Sequence, residues 1–63
     1  MEKIRVAIVD DISDIKDYFK MIIDREGDME VVGTASSGKE AVELAKKMSP
    51  DVMLIDIQMG SMP

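Results

Sequence analysis

The 63-residue sequence contains no cysteine, no histidine and no tryptophan. The lack of cysteine excludes disulfides and thiolate metal sites, and the lack of histidine excludes imidazole catalysis and histidine-ligated metals. No apolar run approaches the roughly 20 residues that span a membrane, and the first residues lack the apolar core of a signal peptide. The sequence therefore predicts a cytoplasmic protein without a membrane segment.

Acidic residues outnumber basic ones, and the formal net charge is −5. A chain with this charge repels phosphate backbones and anionic lipid head groups, so neither nucleic acid nor a membrane is expected as a direct partner. The length allows at most one small domain, which would bury only about 60% of its unfolded surface. We therefore expect marginal stability.

Three short apolar runs predict three β-strands. The first covers Ile4–Val9, the second Met29–Ala35 and the third Val52–Ile55. The first and third are almost continuously apolar, which is typical of parallel strands that are buried on both faces. The alternation of strands with helices predicts an α/β fold with the chain order β-α-β-α-β and a parallel sheet.

Between the first two strands, the apolar residues take up helical spacing. They form one face of a predicted helix, opposite a charged face: Ile12, Ile15, Phe19, Ile22 and Ile23. Asp11 and Ser13 are both possible N-caps of this helix. Gly27 is expected to stop it.

The second predicted helix begins with a capping box. Ser37 and Glu40 have the spacing at which serine and glutamate side chains each satisfy a free backbone N–H group. Ser49 and Pro50 are expected to end the helix, because the residue before a proline avoids the α conformation. The apolar stripe between these signals is Ala41, Leu44, Ala45 and Met48.

Three carboxylates directly follow the first and third strands: Asp10, Asp11 and Asp56. If these two parallel strands are neighbours, the three acids gather at one edge of the sheet. At ~5 Å and an effective dielectric constant of ~20, each pair repels by roughly 3 kcal/mol. A divalent cation would relieve that repulsion, and the site would then favour chemistry on a phosphoryl group.

Three segments carry a family resemblance: residues 6–11 (VAIVDD), 33–42 (GTASSGKEAV) and 49–59 (SPDVMLIDIQM). In this order they resemble the receiver domain of two-component response regulators, and the resemblance extends over nearly the whole chain. Any one of the segments alone would be a weak signal, whereas the three together are specific. The second strand is most similar to receivers that precede a helix-turn-helix output domain.

The resemblance implies a role for each acidic residue. In this family the aspartate that ends the third strand accepts a phosphoryl group from a histidine kinase or a phosphotransfer protein, and Asp56 has that position. Asp11 is expected to bind Mg²⁺ directly, and Asp10 mainly through water. Gln58 is expected to offer its backbone carbonyl to the metal. The implied function is that of a signalling module with Mg²⁺ as cofactor, and not of an enzyme.

The resemblance also implies a flavodoxin-like, doubly wound sheet with the strand order 2-1-3-4-5, of which this sequence would form the 2-1-3 half. The fourth strand would supply a serine or threonine and the fifth a lysine, and neither strand is present in the 63 residues. Met59 is followed by Gly60 where the family commonly has proline. We therefore expect residues 1–63 to be a truncated receiver without an output domain and with little activity of its own.

Two other functions stay open at the level of sequence. A phosphohydrolase of the haloacid dehalogenase type also places an aspartate after a parallel strand, but it expects a second acid where this chain has Gln58. Alternatively, the chain is a self-associating half-domain. With the strand order 2-1-3, the third strand is an open apolar edge, which favours a homodimer formed by pairing of two third strands.

Overall fold

The computed structural model describes residues 2–56, which form three strands and two helices. The strands β1, β2 and β3 form one parallel sheet in the order β2-β1-β3, which confirms the predicted fold class and strand order. Among the described residues, no helix is long and apolar enough to cross a membrane. In chain order, the elements are β1 Ile4–Val9, α1 Ser13–Asp24, β2 Met29–Ala35, α2 Gly38–Met48 and β3 Val52–Ile55.

Strand β1 lies at the centre and divides the interior into two small cores. On one face, Val6 and Ile8 pack with Ile23 of α1. On the other face, Val9 packs with Ala35 of β2 and Ala41 of α2. The side chains of β1 alternate between the two cores because successive residues of a strand point to opposite faces. The part of the run from Val6 to Val9 is therefore buried as predicted, whereas Ile4 at its start is exposed.

The two edges of the sheet differ in how well they are covered. Both helices pack against β2, and Val32 is an extra residue that shifts the register opposite Val6 and Ala7. Such irregularities, together with helices that cover the strand, make an edge a poor template for further pairing. Within residues 2–56, neither helix packs closely over β3. The bare edge of the sheet is therefore β3.

The sequence-based prediction that β3 is buried on both faces is wrong for the described residues. Val52, Leu54 and Ile55 are exposed, and only Met53 is half-buried, against the core between β1 and α2. Burial of an edge strand requires a further strand or helix beside it. Residues 2–56 place no such element there.

Helix α1 departs from the predictions at its face and at both ends. Of the predicted apolar stripe, only Ile23 is buried, whereas Ile12, Phe19 and Ile22 are exposed. The N-cap is Ile12, without a side-chain cap, so neither Asp11 nor Ser13 caps this helix. The helix ends at Asp24 rather than at Gly27, because the N–H groups of residues 25 and 26 bond to carbonyls only three residues back.

Helix α2 begins with Ser37 as N-cap, and its hydroxyl accepts a hydrogen bond of 3.2 Å from the Glu40 N–H. The Glu40 carboxylate accepts from the Ser36 N–H at 2.9 Å, one residue earlier than a standard capping box. Ser49 ends the helix as predicted, in the left-handed conformation with φ of 46°.

Replacement of Ser37 by alanine is expected to lower the free energy of unfolding by about 1 kcal/mol, because the Glu40 N–H loses its partner. Urea denaturation followed by circular dichroism measures the change. Ser13→Ala is the matched control, since Ser13 starts α1 without capping it. Equal losses in the two variants would show that the Ser37 cap contributes nothing.

A separate tie holds the start of β3 against β1. The Arg5 N–H donates to the Asp51 carboxylate at 2.9 Å, and the Arg5 guanidinium donates to the Ser49 carbonyl at 2.9 Å. The Asp51 N–H in turn donates to the Arg5 carbonyl at 2.8 Å. These bonds fix where β3 begins and thereby the register that brings its end to the end of β1.

Candidate metal and phosphoryl site

The three carboxylates predicted from the sequence lie together at one edge of the sheet. One oxygen from each of Asp10, Asp11 and Asp56 lies within 4.8 Å of the other two. Asp10 is buried, with 5% of its surface exposed, whereas Asp56 is half-buried and Asp11 is exposed. The cluster therefore runs from the interior of the fold to solvent.

Strand pairing brings these residues together. Val9 and Ile55 are register partners at the ends of β1 and β3, so the next residues, Asp10 and Asp56, follow side by side. The Asp56 N–H donates to the Val9 carbonyl at 3.0 Å, which continues the ladder beyond β3. On the other side, the Asp10 N–H donates to the Ala35 carbonyl at 3.0 Å. The backbone of Asp10 is thus tied to β2, and that of Asp56 to the last residue of β1.

The Asp10 carboxylate also has a local structural role. Its Oδ1 accepts a hydrogen bond of 2.9 Å from the Ile12 N–H, two residues along the chain. This bond resembles an Asx-turn, and it directs the chain from β1 into α1. This contact with the start of α1 belongs to Asp10 and is not an N-cap, because it holds the N–H of the N-cap residue Ile12 itself. Sequence reasoning missed it, although an aspartate two residues before a helix N-cap is a signal that could have pointed to it.

The carboxylates cluster at a cost in electrostatic energy. At 4.8 Å and an effective dielectric constant of about 20, a pair of negative charges repels by about 3 kcal/mol, less where solvent screens the exposed Asp11. Three carboxylate oxygens are the hard donors that Mg²⁺ selects, and Mg²⁺ keeps several waters when it binds one or two carboxylates. The donor set therefore fits Mg²⁺. Gln58, the fourth predicted ligand, lies outside the described residues.

An open groove of about 500 Å³ adjoins the cluster. Asp10 and Asp56 form its polar end, and the rest of its wall is apolar. The groove follows α1 and β3, and Phe19 of α1 and Leu54 and Ile55 of β3 are exposed apolar residues on its wall. Its apolar wall is lined by Ile8, Val9, Ile12, Ile15, Phe19, Leu54 and Ile55.

Comparison with known proteins identifies the family. The family model described as "Response regulator receiver domain" matches residues 6–63. The chain belongs to the response regulator receiver family. The crystal structure of the response regulator domain of Thermotoga maritima CheB superposes with a TM-score of 0.90 at 46% identity, covering 97% of this chain and 46% of that one. The flavodoxin-like fold class is thereby confirmed.

Full-length relatives differ in what accompanies the receiver. A protein-glutamate methylesterase/protein-glutamine glutaminase of Carboxydothermus hydrogenoformans is 45% identical over 62 residues, which cover 98% of this chain and 18% of that protein. An uncharacterised transcriptional regulatory protein of Bacillus subtilis is 43% identical over 58 residues, covering 92% of this chain and 27% of that protein. The chain spans about a fifth to a quarter of these relatives, and it corresponds to their receiver, a regulatory module.

Proposed function

We propose that Asp56 is the phosphoacceptor of this receiver and that Asp10, Asp11 and Asp56 bind the Mg²⁺ that supports phosphoryl transfer. The observation that carries the proposal is the convergence of the three carboxylates within 4.8 Å at the ends of β1 and β3. Membership of the receiver family supports the same roles. The donors are a histidine kinase or a phosphotransfer protein.

The proposed reaction needs an oxygen nucleophile, a leaving group and a positive charge that lets the anionic phosphoryl group approach the anionic cluster. A carboxylate oxygen of Asp56 forms the new bond to phosphorus, and the bond from phosphorus to the donor nitrogen breaks, so that an aspartyl phosphate results. Bound Mg²⁺ would offset the negative charge of the cluster and of the phosphoryl oxygens. Asp56 is half-buried, so part of its surface is open to solvent. Asp10 and Asp11 would hold the metal, and Gln58 would add its backbone carbonyl.

Labelling of Asp56 by a small phosphoryl donor tests the proposed role. With acetyl phosphate and Mg²⁺, we expect slow and partial modification, because the 63 residues contain neither the fourth-strand hydroxyl nor the fifth-strand lysine that the family implies. Fixed charges of this kind typically contribute a factor of about 10² to 10³ in rate. Borohydride reduction followed by mass spectrometry locates the labelled aspartate.

The matched control for this experiment is Asp14→Asn, because Asp14 is an exposed acid in the first turn of α1 and lies outside the carboxylate cluster. Asp56→Asn and chelation of Mg²⁺ should each abolish the label, and Asp14→Asn should retain it. Labelling at another aspartate, or labelling that is indifferent to Mg²⁺, would contradict the proposed site. Rapid and complete labelling would show that the lysine and hydroxyl matter less than proposed.

We propose a homodimer through β3 as a second property of this chain. The supporting observation is that β3 has an open edge and exposed apolar side chains while neither helix packs over it within residues 2–56. Antiparallel pairing of two β3 strands about a two-fold axis would join two three-stranded halves into one sheet. A phosphohydrolase of the haloacid dehalogenase type is disfavoured by Gln58, which stands where that class has its second acid.

A further inference from the structure

A long-range contact joins α1 to the loop that follows β2. The Lys16 ammonium donates a hydrogen bond to the Ser36 hydroxyl, across 20 residues of sequence. Lys16 lies in α1 and is half-buried, and Ser36 directly follows the last residue of β2. The contact therefore lies close to the edge of the sheet that carries the three carboxylates.

This contact completes a closed ring of hydrogen bonds through Asp10. The Asp10 carboxylate holds the Ile12 N–H at 2.9 Å, and the Ile12 carbonyl accepts from the Lys16 N–H at 3.2 Å. The Lys16 ammonium holds Ser36, which is joined through the chain to Ala35. The Ala35 carbonyl accepts the Asp10 N–H at 3.0 Å and closes the ring. Both the backbone and the carboxylate of Asp10 are members of it.

A second bond fixes the loop from the opposite face of the sheet. The Ser36 N–H donates to the Glu40 carboxylate of α2 at 2.9 Å. Ser36 is therefore tied to α1 by its hydroxyl and to α2 by its backbone. A metal-binding side chain that is already held by such a network loses little conformational freedom when the metal binds. Residues that hydrogen-bond to a metal ligand therefore affect the affinity for the metal.

We propose that Lys16 is a positioning residue for Asp10, acting through Ser36. The proposal rests on the metal site proposed above and adds to it a residue that the sequence assigned to no function. Repulsion from Asp11 and Asp56 acts to displace the Asp10 carboxylate, and the ring opposes that displacement. Loss of the Lys16 ammonium opens the ring at the one of its bonds that joins two side chains, Lys16 of α1 and Ser36 of the loop after β2.

The test compares two changes that break the same contact. Lys16→Met keeps the aliphatic stem and removes the donor, whereas Ser36→Ala removes the acceptor without a change in charge. Each is expected to weaken Mg²⁺ binding about tenfold by isothermal titration, as loss of a ligand's supporting partner typically does. The double variant is expected to lose about the same tenfold rather than a hundredfold, because both changes remove one interaction. Lys16→Arg should restore most of the affinity.

Lys20→Met is the matched control on the same helix. Lys20 is exposed, its side chain makes no hydrogen bond or ion pair within residues 2–56, and its replacement removes the same charge. A simple charge effect would make both lysine variants bind Mg²⁺ slightly more tightly, because a cation near the site repels the metal. Weaker binding in Lys16→Met alone therefore supports positioning. Equal affinities in the two lysine variants, or losses from Lys16→Met and Ser36→Ala that multiply, would overturn it.

Amide exchange in the metal-free protein provides a readout that does not depend on Mg²⁺. We expect the Ile12 N–H, which the Asp10 carboxylate holds, to exchange faster in Lys16→Met and Ser36→Ala than in the wild type or in Lys20→Met. If the wild type binds no Mg²⁺, the proposed metal site is wrong. The exchange rate of the Ile12 N–H then tests by itself whether Lys16 and Ser36 position the Asp10 carboxylate. Unchanged exchange in both ring variants would overturn the positioning role.

Discussion

Asp11→Asn is expected to weaken Mg²⁺ binding by roughly tenfold to a hundredfold. The substitution keeps the shape of the side chain but removes one of three anionic donors from the cluster, and hard divalent cations bind neutral amide oxygens less strongly than carboxylates. Asp11 is also the most exposed of the three acids, so its replacement leaves the hydrogen bond from the Ile12 N–H to the Asp10 carboxylate in place. Isothermal titration of the metal-free protein with Mg²⁺ measures the change.

Asp14→Asn is the control for Asp11→Asn. Asp14 is an exposed acid in the first turn of α1, outside the carboxylate cluster, and its replacement removes the same single charge. We expect a change of less than about twofold in Mg²⁺ affinity, because an exposed charge outside the cluster is screened by solvent. If Asp11→Asn and the wild type bind Mg²⁺ equally well, the three carboxylates do not form the metal site.

Ile55→Lys is expected to convert a β3-linked dimer into a monomer. Ile55 is 53% exposed at the end of the bare strand, and a two-fold axis would place two copies of the new lysine in one interface. Charged side chains on an edge strand are a common means by which proteins prevent pairing between edges. Sedimentation velocity at high micromolar concentration should show a dimer for the wild type and a monomer for the variant.

Val42→Lys separates the effect of position from that of charge. Val42 is 56% exposed on α2, and β3 pairing would not involve it. Val42→Lys therefore introduces the same lysine at a similarly exposed apolar position outside the proposed interface. We expect this variant to remain dimeric. A folded wild type that sediments as a monomer, with slowly exchanging amides in Val52–Ile55, would contradict the dimer.

The surface area that the β3 edge can bury limits the stability of the proposed dimer. Stable interfaces bury roughly 1,000 Å² or more in total, which the edge of a four-residue strand does not supply alone. The exposed apolar wall of the groove, including Phe19 of α1, would have to be covered as well. A dimer joined only by β3 backbone bonds would be weak, so the dimer expected in sedimentation requires that the apolar wall is covered too.

The sequence predicted the strands and the acidic cluster correctly because both depend on short-range pattern and topology. The bounds of all three strands agree with the structure, and parallel strand order alone brings Asp56 to Asp10 and Asp11. The start of α2 was also predictable, since the serine and glutamate of a capping box lie three residues apart. Each of these predictions rests on a sequence pattern within one strand or helix, or on the order of the strands and helices along the chain.

Contacts between distant side chains were not predictable in the same way. The Lys16 bond to Ser36 and the Arg5 bonds to Ser49 and Asp51 join residues that are 20 or more positions apart, with no periodic signal. Burial of β3 was predicted wrongly because the apolar composition of a strand shows that it can be buried, but does not show whether another element lies beside it. The end of α1 was missed because its last turn tightens before Gly27 is reached.

The distribution of the two cores has a consequence for the order of folding during synthesis. Apart from Met53, every member of both cores comes from β1, α1, β2 or α2, so residues 4–48 are able to pack before β3 leaves the ribosome. Strand β3 would then dock last, onto a finished β1 edge whose register is already set. Because Asp56 arrives with β3, its repulsion from Asp10 and Asp11 falls on this final docking step. A cation in the surrounding solution would therefore act on the least covered strand of the sheet and leave the two cores unchanged.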